Sequence, residues 1–196
     1  MKDGPDTHHR RSIRLPGYDY SQPGAYYVTV CAHEKKHLFG EIIEGEMKPN
    51  QHAEVVRRVW EGLTRRYPAV QVDAFVVMPN HIHGVIVVGA VREPHEVGAI
   101  HELPQGEFQR AVHEPPLRRR MLLPIVLGYF KMQTSKRINE MRDTPGAPVW
   151  QRNYYEHVVR NEDELGKIRE YIATNPLRWV RDPENAERET NLPERW

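Results

Sequence analysis

Hydrophobic and polar positions along the chain switch between a period of two and a period near 3.6, and the switches mark the elements. Ala25-Tyr26-Tyr27-Val28-Thr29-Val30-Cys31 is β-branched and aromatic, bounded by Gly24 and the polar stretch His33 to His37, which predicts a first strand. Leu38 to Ile43 predicts a short strand or hairpin arm. Val55, Val56, Val59, Trp60 and Leu63 then form one stripe of a helix capped by Asn50 and running to about Arg66. Val70 to Met78 and His81 to Val88 read as two strands joined at Pro79-Asn80. Leu122 to Met141 returns to helical spacing through Ile125, Val126, Tyr129, Phe130, Met132 and Ile138. Tyr154 to Val159 predicts a fourth strand or an extended link. A last helix follows, capped by Asn161, with Glu162, Asp163 and Glu164 at the positive end of its dipole and Pro176 stopping it near Thr174 or Asn175. The order β-α-β-β-α-β with an added helix predicts an α+β, ferredoxin-like antiparallel sheet with helices on one face.

The strand that begins at His81 carries the candidate chemistry. Side chains alternate across a strand, so His81 and His83 share a face with Cα atoms roughly 7 Å apart, and Ile82 faces the other way. Two imidazoles can then converge on one metal ion. Eleven histidines occur in the chain, and His8, His9, His95, His101 and His113 lie in polar or Pro-rich surroundings that suit ordinary surface residues. A strand otherwise made of Val and Ile has little structural use for a pair of them.

Composition narrows the setting. At 196 residues the chain suits one domain with decorations, and 39% hydrophobic with 28% charged residues is the balance of a water-soluble protein. No apolar run approaches the roughly 20 residues that span a bilayer, so no membrane partner is expected. The single cysteine, Cys31, cannot close an internal disulfide, which points to a reducing cytoplasm. Residues 1–24 read as an N-terminal arm carrying Arg10, Arg11 and Arg14, residues 25–181 as the domain, 91–116 as a flexible acidic insertion, and 182–196 as a tail. The net charge of +1 announces no polyanion partner, but Arg118, Arg119, Arg120, Lys131, Lys136, Arg137 and Arg142 form a local basic patch.

In the last helix Tyr171 and Asn175 are four residues apart and share a face. A phenol and an amide oxygen can reach one metal from there. Two imidazoles and an amide oxygen would leave coordination positions open, as catalytic sites require. A phenol with a pKa of about 10 is a poor nucleophile at neutral pH, so a cation polarising a phosphate would help it. The plainer alternative is that Tyr171 packs and Asn175 caps. With nine tyrosines in the chain, Tyr154 and Tyr155 are rival nucleophiles on spacing alone.

Met78-Pro79-Asn80-His81-Ile82-His83, Gly128-Tyr129-Phe130-Lys131, Trp150-Gln151-Arg152, Tyr155-Glu156-His157 and Tyr171-Ile172-Ala173-Thr174-Asn175-Pro176, in that order, resemble the REP-associated tyrosine transposases. These belong to the larger group of single-tyrosine transposases and relaxase-like nucleases with a His-hydrophobic-His motif, and the resemblance spans about Arg11 to Arg181. It implies that Tyr171 is the nucleophile and that His81, His83 and Asn175 hold a divalent metal, Mg²⁺ or Mn²⁺. It also implies cleavage of single-stranded DNA beside hairpins of the repetitive extragenic palindrome type, through a 5′-phosphotyrosine link and a free 3′-hydroxyl. Imidazole pairs suit Mn²⁺, Zn²⁺ or Ni²⁺ better than Mg²⁺ on chemical grounds, so both ions stay open. Contacts to the folded strand fall to Arg10, Arg11, Arg14, Lys131, Lys136 and Arg137, a DNA partner places the protein at the nucleoid, and the working unit is a monomer or a homodimer. Two other functions stand beside this one: a domesticated hairpin DNA or RNA-binding protein of the same fold without cleavage, and a two-histidine phosphoesterase using imidazoles as acid and base. The latter needs two separated histidine motifs, and the chain has one credible pair.

Overall fold

A computed structural model describes residues 23–89 and 122–185. The chain forms β1 (Gly24–Cys31), β2 (Gly40–Ile43), β3 (Glu46–Pro49), α1 (Gln51–Glu61), α2 (Leu63–Arg66), β4 (Val70–Val77), β5 (His81–Val88), α3 (Leu122–Met141), β6 (Tyr155–Val159) and α4 (Glu162–Thr174), then a 3-10 turn over Pro176–Arg181. Four strands make one sheet in the order β4-β5-β1-β6, antiparallel at every junction. That is the expected α+β, ferredoxin-like arrangement. The β2–β3 hairpin is a separate two-stranded sheet.

Alternation along β1 and β5 gives the sheet two unlike faces. Tyr26, Val28 and Val30 with Ile82, Ile86 and Val88 enter one apolar core with Val56, Val59 and Trp60 of α1 and Leu123, Val126, Leu127 and Phe130 of α3. The two core helices therefore share one face. The added helix α4 covers the opposite face, where Leu165, Ile168, Tyr171 and Ile172 pack on Ala74, Val76, Val85 and Val87.

Local chemistry sets the boundaries. The Asn50 side-chain oxygen Oδ1 accepts from the amides of His52 at 2.9 Å and Ala53 at 3.2 Å, satisfying two donors that the first turn of α1 leaves free. Asn161 caps α4 in the same way through Glu164 N at 2.8 Å. The first helix, expected to run unbroken to about Arg66, instead stops at Glu61 and resumes as α2 beyond Gly62, the weakest helix former of the segment. Gly84, directly after the histidine pair, is required by packing: a Cβ there would lie 2.4 Å from the Trp60 ring, which stacks on Phe75 with centroids 4.5 Å apart. Between Val72 and Phe75 the register of β4 slips, so Val70 and Val72 and then Phe75 and Val77 all serve the apolar core. Asp73, inside that bulge, takes Arg169 of α4 through two bonds of 3.0 and 2.5 Å and so pins the helix to the edge strand.

Candidate metal and nucleophile site

His81 and His83 occupy the α4 face of β5 and are fully buried. Their Nε2 atoms meet at 2.9 Å. Asn80, in the turn before them, donates its amide hydrogens to Lys35 O at 3.2 Å and Glu184 O at 2.8 Å, which turns its carbonyl oxygen onto His81 Nδ1 at 2.7 Å. A carbonyl only accepts, so His81 carries its hydrogen on Nδ1 and its Nε2 presents a lone pair. Burial holds both imidazoles neutral, well below the ordinary histidine range, and Lys35 adds to the effect at His81. On the far side of His83, Nδ1 meets Tyr27 Oη at 2.7 Å and Thr29 Oγ1 at 2.9 Å, both from β1.

The third group comes from beyond α4. The 3-10 turn carries the chain back over the sheet, Trp179 stacks on the His81 ring at 6.1 Å, and Asp182 arrives with Oδ2 3.9 Å from His81 Nε2. Ligand atoms of His81, His83 and Asp182 all lie within 4.8 Å of one another. Asp182 is buried, with Oδ1 accepting from Glu184 N at 2.6 Å and Oδ2 accepting from Asn175 Nδ2 at 3.0 Å. Asn175 Oδ1 is also buried and has no hydrogen-bond partner among the described residues. Two imidazole nitrogens, one carboxylate and an orphaned amide oxygen are a donor set that suits a divalent cation.

Tyr171 lies on the covering helix, half-buried, with its ring edge-on to His83 at a centroid distance of 5.3 Å. Burial pushes its phenol up to about 12 and the Asp182 carboxylate adds to the rise, while the Asn175 and Tyr27 side chains pull part of the way back. Tyr154 packs against the apolar core on the other face of the sheet, and Tyr155 is exposed and meets the Tyr27 ring at 6.2 Å.

The sequence-level candidates thus divide. His81, His83, Tyr171 and Asn175 are brought together, with Asn175 bonding Asp182. Lys131 is committed elsewhere, donating to Gln151 O at 2.6 Å and Arg152 O at 2.8 Å, so it staples the segment before β6. Lys136 and Arg137 are exposed on α3, and Arg10, Arg11 and Arg14 lie outside the described residues. Asp182, assigned in the sequence to a tail, had no local signal, and Asn80 had a weak one in its place before the histidine pair.

No family model matches the chain. An uncharacterized protein of Haemophilus influenzae is 37% identical over 180 residues, covering 89% of this chain and 92% of that one. The chain belongs to the same family as that protein. Among solved structures, a REP-associated tyrosine transposase bound to a REP hairpin covers 82% of this chain and 74% of its own at 17% identity and a TM-score of 0.45. A Deinococcus radiodurans protein provisionally assigned as a transposase covers 88% and 96% at 13% identity and a TM-score of 0.38. No helix among the described residues is long and apolar enough to cross a membrane.

Proposed function

We propose that the chain is a metal-dependent single-strand DNA endonuclease and strand transferase, a transposase acting at hairpin-bearing repeats. The observation that carries the reading is the approach of a phenol from the covering helix, Tyr171, to a buried pair of imidazoles joined by a carboxylate. The ordered motifs of the sequence supply the substrate class. His81, His83 and Asp182, with Asn175 Oδ1 as a further oxygen, would hold Mg²⁺ or Mn²⁺, which when bound supplies Lewis-acid polarisation of the scissile phosphate.

The side chains do the rest. Tyr171 Oη attacks phosphorus, its proton leaves to solvent, the P–O3′ bond breaks, and the 3′-oxygen departs as a hydroxyl after taking up a proton. The 5′-phosphotyrosine ester conserves the bond, so attack by a second 3′-hydroxyl rejoins strands with Tyr171 as the leaving group. Asn175 orients the Asp182 carboxylate through its Nδ2 bond, and Asn80 orients His81. The Tyr171 ring meets His83 of its own chain, the arrangement that action in cis requires. Exposed Lys136 and Arg137, and Arg10, Arg11 and Arg14 of the arm 1–24, are proposed to hold the hairpin's phosphates.

Incubation with a labelled single-stranded hairpin and Mn²⁺ or Mg²⁺ tests the reading. A covalent adduct that survives denaturation, and is lost in Tyr171→Phe, is the expected result. Adduct retained by Tyr171→Phe rejects the nucleophile, and tight hairpin binding with no adduct from the wild type yields a binding module instead.

A further inference from the structure

Phosphoryl transfer by Tyr171 leaves one polar side chain of the site without a task. Tyr27 projects from β1 on the α4 face, half-buried among Ala25, Val85 and Val87, where an apolar residue would suffice. A hydroxyl is placed in such surroundings at a cost unless it is bonded. Its oxygen lies 2.7 Å from His83 Nδ1, Thr29 Oγ1 lies 3.2 Å from that oxygen and 2.9 Å from the same nitrogen, and the Tyr27 ring meets the Tyr171 ring edge-on at 6.3 Å. Tyr27 therefore touches both the histidine and the nucleophile. With an ordinary pKa of about 10 a phenol keeps its hydrogen at neutral pH, so Tyr27 acts as an O–H and not as an anion.

Hydrogen-bond directions then constrain one another. Asn80 leaves His81 Nε2 as a lone pair. Across the 2.9 Å gap, His83 has two choices. With its hydrogen on Nε2 it donates to His81, and Nδ1 accepts from Tyr27 or Thr29. With its hydrogen on Nδ1 it donates to those hydroxyls, and both Nε2 lone pairs face the Asp182 carboxylate, as a cation there would need. In that second state Tyr27 can no longer donate to His83, and its own hydrogen is free to turn to Tyr171.

Resting on the function proposed above, we propose that Tyr27 is a positioning residue: it holds His83 with Nε2 presented as a ligand and, in that state, donates its hydroxyl hydrogen to Tyr171 Oη. The hydrogen bond steadies the oxygen that attacks phosphorus and later leaves it. No proton is gained or lost; one moves between the two nitrogens of His83 and one hydroxyl rotates. Thr29 shares the first task through its bonds to His83 and Tyr27, while the second task belongs to Tyr27, so the two side chains are separable.

The test compares wild type, Tyr27→Phe and Thr29→Val in three measurements. Calorimetry with Mn²⁺ reads site affinity, long-range proton–nitrogen NMR with Mg²⁺ reads which nitrogen of His83 is protonated, and single-turnover adduct formation at saturating Mn²⁺ and hairpin reads the chemical step. Wild-type His83 is expected to be protonated on Nδ1 with Mg²⁺. Both variants should weaken Mn²⁺ binding by about 10-fold, within the usual reach of groups that orient metal ligands. Tyr27→Phe should slow the saturated step by about 10-fold or more, and by more than Thr29→Val does, with hairpin affinity unchanged. Unaltered Mn²⁺ affinity in Tyr27→Phe, equal slowing in both variants, or wild-type His83 protonated on Nε2 with Mg²⁺ would overturn the proposal. The last readout needs no variant to fold. If the wild type forms no adduct, the proposed function fails and with it the Tyr171 half of this proposal, while calorimetry and NMR still decide the link from Tyr27 to His83.

Discussion

On the face covered by α1 and α3, β1 contributes Tyr26, Val28 and Val30 and β5 contributes Ile82 and Ile86, all fully buried. On the face beneath α4, the alternate positions of the same two strands include Tyr27, Thr29, His81 and His83, beside the apolar Val85 and Val87 on which α4 packs. Opposite faces of one pleat have been given opposite tasks. The apolar face is filled by rings and branched side chains at van der Waals contact, so its contribution scales with area and shape. The polar face is held by directional bonds between 2.7 and 3.0 Å, so its contribution depends on which atom carries each hydrogen. Rigidity on the first face is what allows accuracy on the second, because Ile82, between the two histidines, is locked in the core.

The separation can be broken from either side. Tyr171→Phe should have the largest effect, complete loss of the covalent adduct on a denaturing gel, with the melting midpoint unmoved because the ring keeps its packing. Trp60→Ala attacks the other face and should cost about 3–5 kcal/mol in a denaturant titration, as large aromatic truncations do. Its influence on the site should come only through the unfolded fraction. A third substitution, Asp182→Asn, removes the carboxylate while keeping its shape. Mn²⁺ affinity read by calorimetry should fall by about 100-fold, equivalent to about 2.7 kcal/mol, and the rise in melting midpoint that Mn²⁺ gives the wild type should vanish.

Gly84→Ala lies on the seam between the two faces. The added methyl meets the Trp60 ring and should destabilise by about 1–3 kcal/mol, as overpacking does, with adduct formation per folded molecule retained. Loss of activity without loss of stability would show that the faces are not independent. Smallest of all is Arg169→Ala, which frees α4 from Asp73 at an exposed pair. The Arg169 guanidinium holds the Asp73 carboxyl below its ordinary range, so the pair's support is present above the unfolded carboxyl's pKa and is lost as pH falls through the lowered one. The difference in midpoint between wild type and variant should therefore shrink on acidification, as thermal melts at neutral and acid pH would reveal.

Much of the fold was legible because its causes are local. The histidine strand and the long helix α3 begin and end where alternation and helical spacing predict, and Asn50 and Asn161 cap the helices that follow them. The β3 arm escaped notice because Glu46-Met47-Lys48-Pro49 has no apolar alternation of its own, only pairing with Gly40 to Ile43. Lys131 read as a surface cation because it lies in a segment rich in Lys and Arg and off the helix's apolar stripe, yet its two carbonyl acceptors belong to a segment that packs beside α3 only after folding.

The candidate site divides along the same line. Period-two geometry makes the shared face of His81 and His83 a property of three consecutive residues, and the four-residue step from Tyr171 to Asn175 is equally a property of one helix. Those pairs were determined by sequence alone. Which face of the sheet α4 covers, and therefore whether the two pairs ever meet, depends on the burial of Leu165 and Ile172 against Val85. That Asp182 completes the cluster depends on a 3-10 turn folding back over His81, and that Tyr27 and Thr29 reach His83 depends on the register Thr29↔His83 between strands far apart in the chain. Local backbone geometry decides what each segment offers; only the burial of apolar area and the pairing of strands decide what it is offered to.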